Sequence, residues 1–224
     1  MKYLVTGSAG LIGNQIVHDL EKSGEIVYSS YNNVKPVNGI PIKLNLLNLE
    51  DIRKTFQKIQ PDIIIHSAAL TDVEKCEIEL ELANSINVKA TEVIAKEVEK
   101  TNSYLMYIST DYIFDGKKGL YKETDSINPL NNYGKTKLLG EKIIENNTSK
   151  WSIVRTSTPF GVHSLKKTFP VWVYENLKNN KKINVLEDQF TSPTYVPNLS
   201  KMILEIILRS LEGIFHLSGS TKIS

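Results

Sequence analysis

Tyr133 and Lys137 lie four positions apart in Tyr133-Gly134-Lys135-Thr136-Lys137. On a helix that spacing is about one turn, so both side chains project from one face. A phenol ordinarily titrates near pH ~10, too high for ready proton exchange around neutrality. A neighbouring ammonium favours the phenolate, so Lys137 is expected to lower the Tyr133 pKa. A third polar group comes from Thr110, which closes the apolar run Tyr107-Ile108-Ser109 and precedes Asp111-Tyr112. A hydroxyl at the C-terminal end of a buried strand can donate to a carbonyl oxygen on which negative charge develops. Ser109, adjacent in sequence, is the competing hydroxyl.

A phosphate-binding loop stands at the other end of this chemistry. Thr6-Gly7-Ser8-Ala9-Gly10-Leu11-Ile12-Gly13 follows an apolar run, Tyr3-Leu4-Val5, and opens an amphipathic stretch from Leu11 to Lys22. In Gly-x-x-Gly-x-x-Gly, Gly7 permits the tight turn, Gly10 lets the backbone approach a pyrophosphate, and Gly13 lets the helix pack against the strand. The phosphates then meet the free N–H groups and the positive dipole end of the helix. This context makes the loop a dinucleotide site. At the end of the second strand, where a carboxylate would read the free ribose hydroxyl of NAD, the sequence has Tyr28-Ser29-Ser30-Tyr31-Asn32-Asn33 with Lys35 beyond. Ser29 and Ser30 can accept a 2′-phosphate, so NADP(H) is preferred and NAD(H) remains open.

These groups need a scaffold, and strand-like and helix-like patterns alternate to supply one. Strands are expected at 3–5, 25–28, 62–66, 104–108, 152–154 and 214–217. Helices are expected at 11–22, 49–59, 83–100, 133–146, 168–178 and 197–210. That order predicts an α/β fold, a Rossmann-type doubly wound parallel sheet with a small C-terminal substrate-binding region. The expected division is 1–154 for nucleotide binding and 155–224 for the substrate. The 224 residues suffice for one such unit. A net charge of +2 from scattered basic residues gives no reason to expect nucleic acid. The lone Cys76 allows no internal disulfide and reads as a small semi-buried residue; the four histidines form no metal cluster. No apolar run reaches membrane-spanning length, and the N-terminus runs directly into the first strand, so a cytoplasmic protein is expected.

The residues around these motifs resemble the extended short-chain dehydrogenases, and within them the dTDP-4-dehydrorhamnose reductases. Ile64-Ile65-His66-Ser67-Ala68-Ala69 is similar to that family's strand and Ala-Ala turn, and Thr71 to Glu77 to the segment after it. Asn87 matches the superfamily's helix asparagine. Ser109 to Gly116 is similar to the catalytic strand motif, and Tyr133 to Lys137 with Gly140-Glu141 to the active-site helix. Arg155-Thr156-Ser157 and Asp188 to Thr194 resemble two substrate-side segments. The resemblance implies hydride transfer from NAD(P)H to the 4-keto carbon of a dTDP-6-deoxyhexulose. Tyr133 would supply the proton, Thr110 would orient the carbonyl and Lys137 would tune Tyr133. It further implies that Gly10, Leu11 and Ile12 cradle the pyrophosphate, that Asn45 and Leu46 lie near the adenine, and that Ala68, Ala69 and Leu70 line the cofactor. Asp111 and Thr158 would meet the substrate, Thr158 standing where many members carry an aromatic residue.

The family usually runs several dozen residues further, so the end at Ser224 reads as clipped. Related 4,6-dehydratases place an acidic pair after the threonine. Here Asp111 is followed by Tyr112, which argues for simple reduction; a 4-epimerase fits the 188–194 segment poorly. The rival from another class is a non-catalytic NADP-binding subunit resembling the regulatory β subunit of methionine adenosyltransferase. The oligomeric state stays open, a homodimer included.

Overall fold

The computed structural model describes residues 1–162, 168–184 and 189–223; Asp188 of the expected substrate-side segment lies outside them. In chain order the elements are β1 (Lys2–Thr6), α1 (Leu11–Lys22), β2 (Ile26–Tyr31), β3 (Ile40–Lys43), α2 (Leu49–Ile59), β4 (Ile63–His66), α3 (Val73–Ile78) and α4 (Leu80–Asn84). A π turn (Ser85–Lys89) leads to α5 (Ala90–Thr101) and β5 (Tyr104–Thr110), then a 3-10 turn (Asp111–Ile113). There follow α6 (Asn132–Asn147), β6 (Trp151–Thr156), β7 (Pro159–Phe160), α7 (Phe169–Lys178), β8 (Thr194–Tyr195), α8 (Val196–Leu208) and β9 (Gly213–His216).

Seven strands form one parallel sheet in the order β3-β2-β1-β4-β5-β6-β9. Strand order reverses between β1 and β4, the switch point where a doubly wound sheet opens a crevice at its C-terminal edge. Alternation along each strand divides the core into two layers. Tyr3, Val5, Ile63, Ile65, Met106 and Ile108 pack under α1 and α8 through Ile16, Leu20, Leu199 and Ile203. Leu4, Ile64, Leu105 and Tyr107 face α2, α5 and α6 through Phe56, Ile94, Val98 and Ile144. Such β-branched runs suit strands covered on both faces.

Three local features differ from the sequence reading. β3 was not expected: Ile40-Pro41-Ile42-Lys43 is short and mostly exposed, and as the edge of the sheet it tolerates a proline that a central strand would not. The segment Thr71 to Glu77 carries a helix, α3, capped by Asp72, whose carboxylate accepts from Lys75 N at 2.9 Å. The helix expected over 83–100 starts earlier and is widened by the π turn. That turn holds Asn87, 1% exposed, against both Leu70 and Thr136. Beyond residue 154, α8 packs on α1 and β9 pairs with β6, extending the sheet.

Candidate active site

The glycine turn is shaped by close approach. Gly7 has φ +67°, a conformation that side chains disfavour, and a Cβ there would lie 2.9 Å from the Ala68 backbone. A Cβ on Gly13 would meet the Gly7 carbonyl oxygen at 2.4 Å. The turn therefore folds onto itself and onto the Ala68-Ala69 strand end. Among the described residues no side chain caps α1, which leaves its first N–H groups available at the crevice. This cradle fits the pyrophosphate of a dinucleotide.

The crevice has two compartments meeting at Gly7, Gly10, Ala68 and Ala69. One, of about 340 Å³, is lined by Ser30, Tyr31, Asn32, Asn33, Asn45 and Leu46. The other, of about 550 Å³, is lined by Leu11, Ile12, Gly13, Thr110, Asp111, Tyr133, Lys137 and Thr158. The phenol and amine named from sequence thus share one cavity beside the glycine turn. Two expected cofactor contacts are not among the lining residues. Ser29 alternates with Ser30 on β2, is fully buried, and packs against Gly39, where a Cβ would lie 2.1 Å from its Oγ. Leu70 turns its backbone to Asn87: its N–H donates to Oδ1 at 2.8 Å and its carbonyl accepts from Nδ2 at 3.1 Å.

Alternation also separates the two competing hydroxyls. Ser109 shares the face of Tyr107 and donates to the Glu141 carboxylate. Thr110, one residue on, lies at the cavity wall; its Oγ1 accepts from Tyr112 N at 3.2 Å and approaches Asp111 Oδ1 at 3.3 Å. Glu141 is held in turn by Arg155, with Nη2–Oε2 at 2.7 Å and Nε–Oε1 at 3.1 Å. Arg155 and Glu141 are 2% and 1% exposed, so each charge depends on the other.

Tyr133 is positioned by the start of α6. Asn131 Oδ1 accepts from Gly134 N at 2.8 Å, an N-cap. Glu77 of α3 accepts from Asn132 N at 2.6 Å and from Asn132 Nδ2 at 2.8 Å. A Cβ on Gly134 would lie 2.2 Å from the Tyr112 carbonyl oxygen, so the helix end abuts the 3-10 turn. Tyr112 sets its ring edge-on to Tyr133, centroids 5.7 Å apart. From inside, Asn87 Nδ2 donates to Thr136 Oγ1 at 3.0 Å, and that hydroxyl donates to the Tyr133 carbonyl at 2.9 Å.

The expected lowering of the Tyr133 pKa does not occur. Burial pushes the phenol well above its ordinary value, and the charge of Asp111 raises it further, against a lowering by the Thr110 hydroxyl beside it. Lys137 makes no hydrogen bond to the phenol among the described residues. Its Nζ instead stands 3.9 Å above the Tyr107 ring. Burial brings Lys137 down to about 7, opposed by the charge of Glu141. Asp111 is raised by burial, against a hydrogen bond from Ser157.

The two sequence segments singled out from the end of β6 onward meet. Thr158 Oγ1 bonds Thr191 Oγ1, Ser157 Oγ lies 3.0 Å from the same Thr191 hydroxyl, and Thr194 Oγ1 donates to the Ser157 carbonyl at 2.6 Å. Thr158 has φ +38°, an outlier for a β-branched residue. Sequence reasoning assigned no role to Tyr112, Ser157 or Thr191. For Tyr112 the available signal was its place one residue after Asp111; Ser157 and Thr191 lay within the two segments singled out by resemblance, without a role of their own.

The family model described as the RmlD substrate binding domain matches residues 1–224. The chain is 32% identical to methionine adenosyltransferase 2 subunit beta of Xenopus tropicalis, over 99% of this chain and 68% of that protein. It is 31% identical to dTDP-4-dehydrorhamnose reductase of Aggregatibacter actinomycetemcomitans, over 100% of this chain and 75% of that one. The crystal structure of dTDP-4-dehydrorhamnose reductase from Bacillus anthracis in complex with NADP superimposes with a TM-score of 0.89 at 32% identity, covering 100% of this chain and 76% of that chain.

Proposed function

The chain belongs to the RmlD substrate binding domain family, and from that premise we propose that it reduces the 4-keto group of a dTDP-6-deoxyhexulose with NADPH, as dTDP-4-dehydrorhamnose reductases do. The observation that carries the reading is the convergence of Thr110, Tyr133 and Lys137 on one cavity next to the glycine turn. The NADP of the Bacillus anthracis relative supports the choice of cofactor, as does the lack of a carboxylate among Ser30, Tyr31, Asn32 and Asn33 in the smaller compartment.

When bound, the cofactor supplies the hydride. Gly10, Leu11 and Ile12 would hold its pyrophosphate, Ser30, Asn45 and Leu46 its adenosine end, and Tyr133 and Lys137 its nicotinamide end. The Thr110 hydroxyl donates to the keto oxygen and stabilises negative charge developing there. Tyr133 Oη–H then gives its proton to the alkoxide oxygen. Its raised pKa keeps the phenol loaded for donation, the protonation state that reduction requires. Asp111 and Thr158 meet the sugar. The segment between β6 and α8 would add Thr158 to the substrate side, since α8 and β9 pack into the core of the seven-stranded sheet. The protein works on a small molecule in the cytoplasm.

A second reading follows from the 32% match to methionine adenosyltransferase 2 subunit beta: a subunit that binds NADP without turnover. A screen of 4-keto sugar nucleotides with NADPH and NADH, on wild type and Tyr133→Phe, separates the two. The reductase reading expects wild-type turnover, its loss in the variant, and cofactor binding in both. Cofactor binding without oxidation by the wild type supports the regulatory subunit.

A further inference from the structure

Lys137 reaches the cavity wall with a side chain 2% exposed, and among the described residues no hydrogen bond or ion pair reaches its Nζ. Its nearest described support is the Tyr107 ring, whose centroid lies 3.9 Å away. The ring face of an aromatic side chain carries negative charge density and attracts a cation, most strongly where water is excluded.

Tyr107 is unusual in its own right. It is fully buried, and among the described residues its hydroxyl makes no well-formed hydrogen bond, the Thr91 hydroxyl being the one hydrogen-bonding group whose influence on it is felt. That hydroxyl occupies the space left by Gly140, where a Cβ would lie 2.4 Å away. A buried unpaired hydroxyl is destabilising, so the residue is not kept there by its oxygen. His66 packs against the ring, centroids 5.5 Å apart. Both imidazole nitrogens are engaged, Nδ1 with Thr6 Oγ1 at 2.7 Å and Nε2 with Thr91 Oγ1 at 3.1 Å. Thr91 already donates to the Asn87 carbonyl. It therefore accepts from Nε2–H, and Thr6 donates to Nδ1. Burial lowers the His66 pKa to about 3, so the imidazole beside the ring is neutral, with no charge to repel the ammonium.

We propose that Tyr107 is a positioning residue for the reaction: its ring face, not its hydroxyl, holds the Lys137 ammonium in the cavity wall, and neutral His66 fixes the ring. The titratable and charged groups nearest the Lys137 side of these elements include Tyr133 and Glu141 on α6, Asp111 and Tyr112 after β5, His66 on β4, Arg155 on β6, and Cys76 and Glu77 on α3. Glu141 favours the ammonium but is committed to Arg155 and Ser109, which leaves the ring as the partner that Lys137 does not share.

The proposal rests on Lys137 belonging to the reductase site, but its test does not need turnover. The Lys137 titration is followed by NMR of lysine labelled with 13C at Cε, the signal being assigned by its loss in Lys137→Met. The probes are Tyr107→Phe and a series of fluorinated phenylalanines at position 107, which keep the shape of the ring while draining charge from its face. Tyr107→Phe is expected to titrate with the wild type. The midpoint should fall as fluorines are added, reaching about one pH unit, roughly tenfold in the protonation equilibrium, at three fluorines. Tyr107→Leu should fall as far. A constant midpoint along the fluorinated series, or a drop in Tyr107→Phe equal to that in Tyr107→Leu, overturns the proposal. Failure of wild-type turnover with unchanged NMR behaviour would instead remove only the reductase reading.

Discussion

Arg155 and Glu141 close an ion pair 2.7 Å long with both side chains out of solvent. The pair ties α6 to β6, and Glu141 sits one turn beyond Lys137. It also accepts the Ser109 hydroxyl, which takes that residue out of competition for substrate. Removing one member leaves a buried charge uncompensated, so Arg155→Met should cost about 3–5 kcal/mol of stability. Arg155→Met combined with Glu141→Leu should recover most of the loss, because an apolar pair needs no compensation. Chemical denaturation of the wild type and the two variants decides this; a double variant no more stable than the single one would refute the account.

The contrast between Ser109 and Thr110 yields a kinetic expectation. Ser109 is bound to the buried Glu141 carboxylate, whereas Thr110 stands at the cavity wall and donates over a long 3.3 Å contact to Asp111, which a keto oxygen can displace. Thr110→Val keeps the shape and removes the donor, so kcat should drop by about 10²–10³. NADPH affinity should be preserved, since the hydroxyl is not part of the glycine cradle. Steady-state rates beside a fluorescence titration of NADPH make the comparison. A rate within a few-fold of wild type would take Thr110 out of its role.

The pH dependence of reduction follows from Lys137. Its pKa is brought down to about 7 by burial, whereas the Tyr133 phenol is pushed up and stays protonated through neutrality. The phenol supplies the proton, and the Lys137 ammonium would hold the nicotinamide end of the cofactor beside it, so the rate is expected to depend on both. The rate should therefore fall as pH rises through about 7, and the group lost is the amine, not the phenol. Lys137→Arg, whose guanidinium keeps its charge, should flatten that limb even where it lowers the maximum rate. A limb that persists in Lys137→Arg would assign the titration to another group.

Most of the sheet and the glycine loop were legible because both depend on local pattern: β-branched runs between helices of period 3.6, and glycines at a strand end. β3 was not, because an edge strand lacks the continuous apolar run that marks a buried one. Tyr133, Lys137 and Thr110 were legible by type and spacing. Their electrostatics were not, because the partner of Lys137 is a ring from another element and the burial of Tyr133 is set by Tyr112, α3 and the 3-10 turn. The fates of Ser109 and Ser29 differ from those of their neighbours: Ser29 is one residue from Ser30, which lines the smaller compartment, and Ser109, although it borders the larger compartment as Thr110 does, has its hydroxyl bound to Glu141. Parity can be read from the alternation once a strand's ends are fixed, but in β2 the expected strand stopped at Tyr28 and left both serines in a loop.

His66 gives the protein a measurable acid sensitivity. It is fully buried, and burial, with the charge of Lys137 adding to the effect, lowers its pKa from 6.5 to about 3. Between those values the unfolded chain binds a proton that the folded chain refuses. Stability therefore rises with pH across that window and is lost as pH falls through it, by about 1.4 kcal/mol per unit for one proton. Paired carboxylates contribute in the same direction, so the diagnostic quantity is a difference between two proteins. His66→Gln, which retains hydrogen-bonding capacity toward Thr6 and Thr91 without a titrating ring, should show a shallower fall, smaller by about one proton between pH 6 and pH 4. Urea unfolding at a series of pH values gives both slopes. Parallel slopes would mean that the imidazole takes up its proton in the folded state, and the neutral ring assigned to the Thr6–His66–Thr91 chain would have to be abandoned.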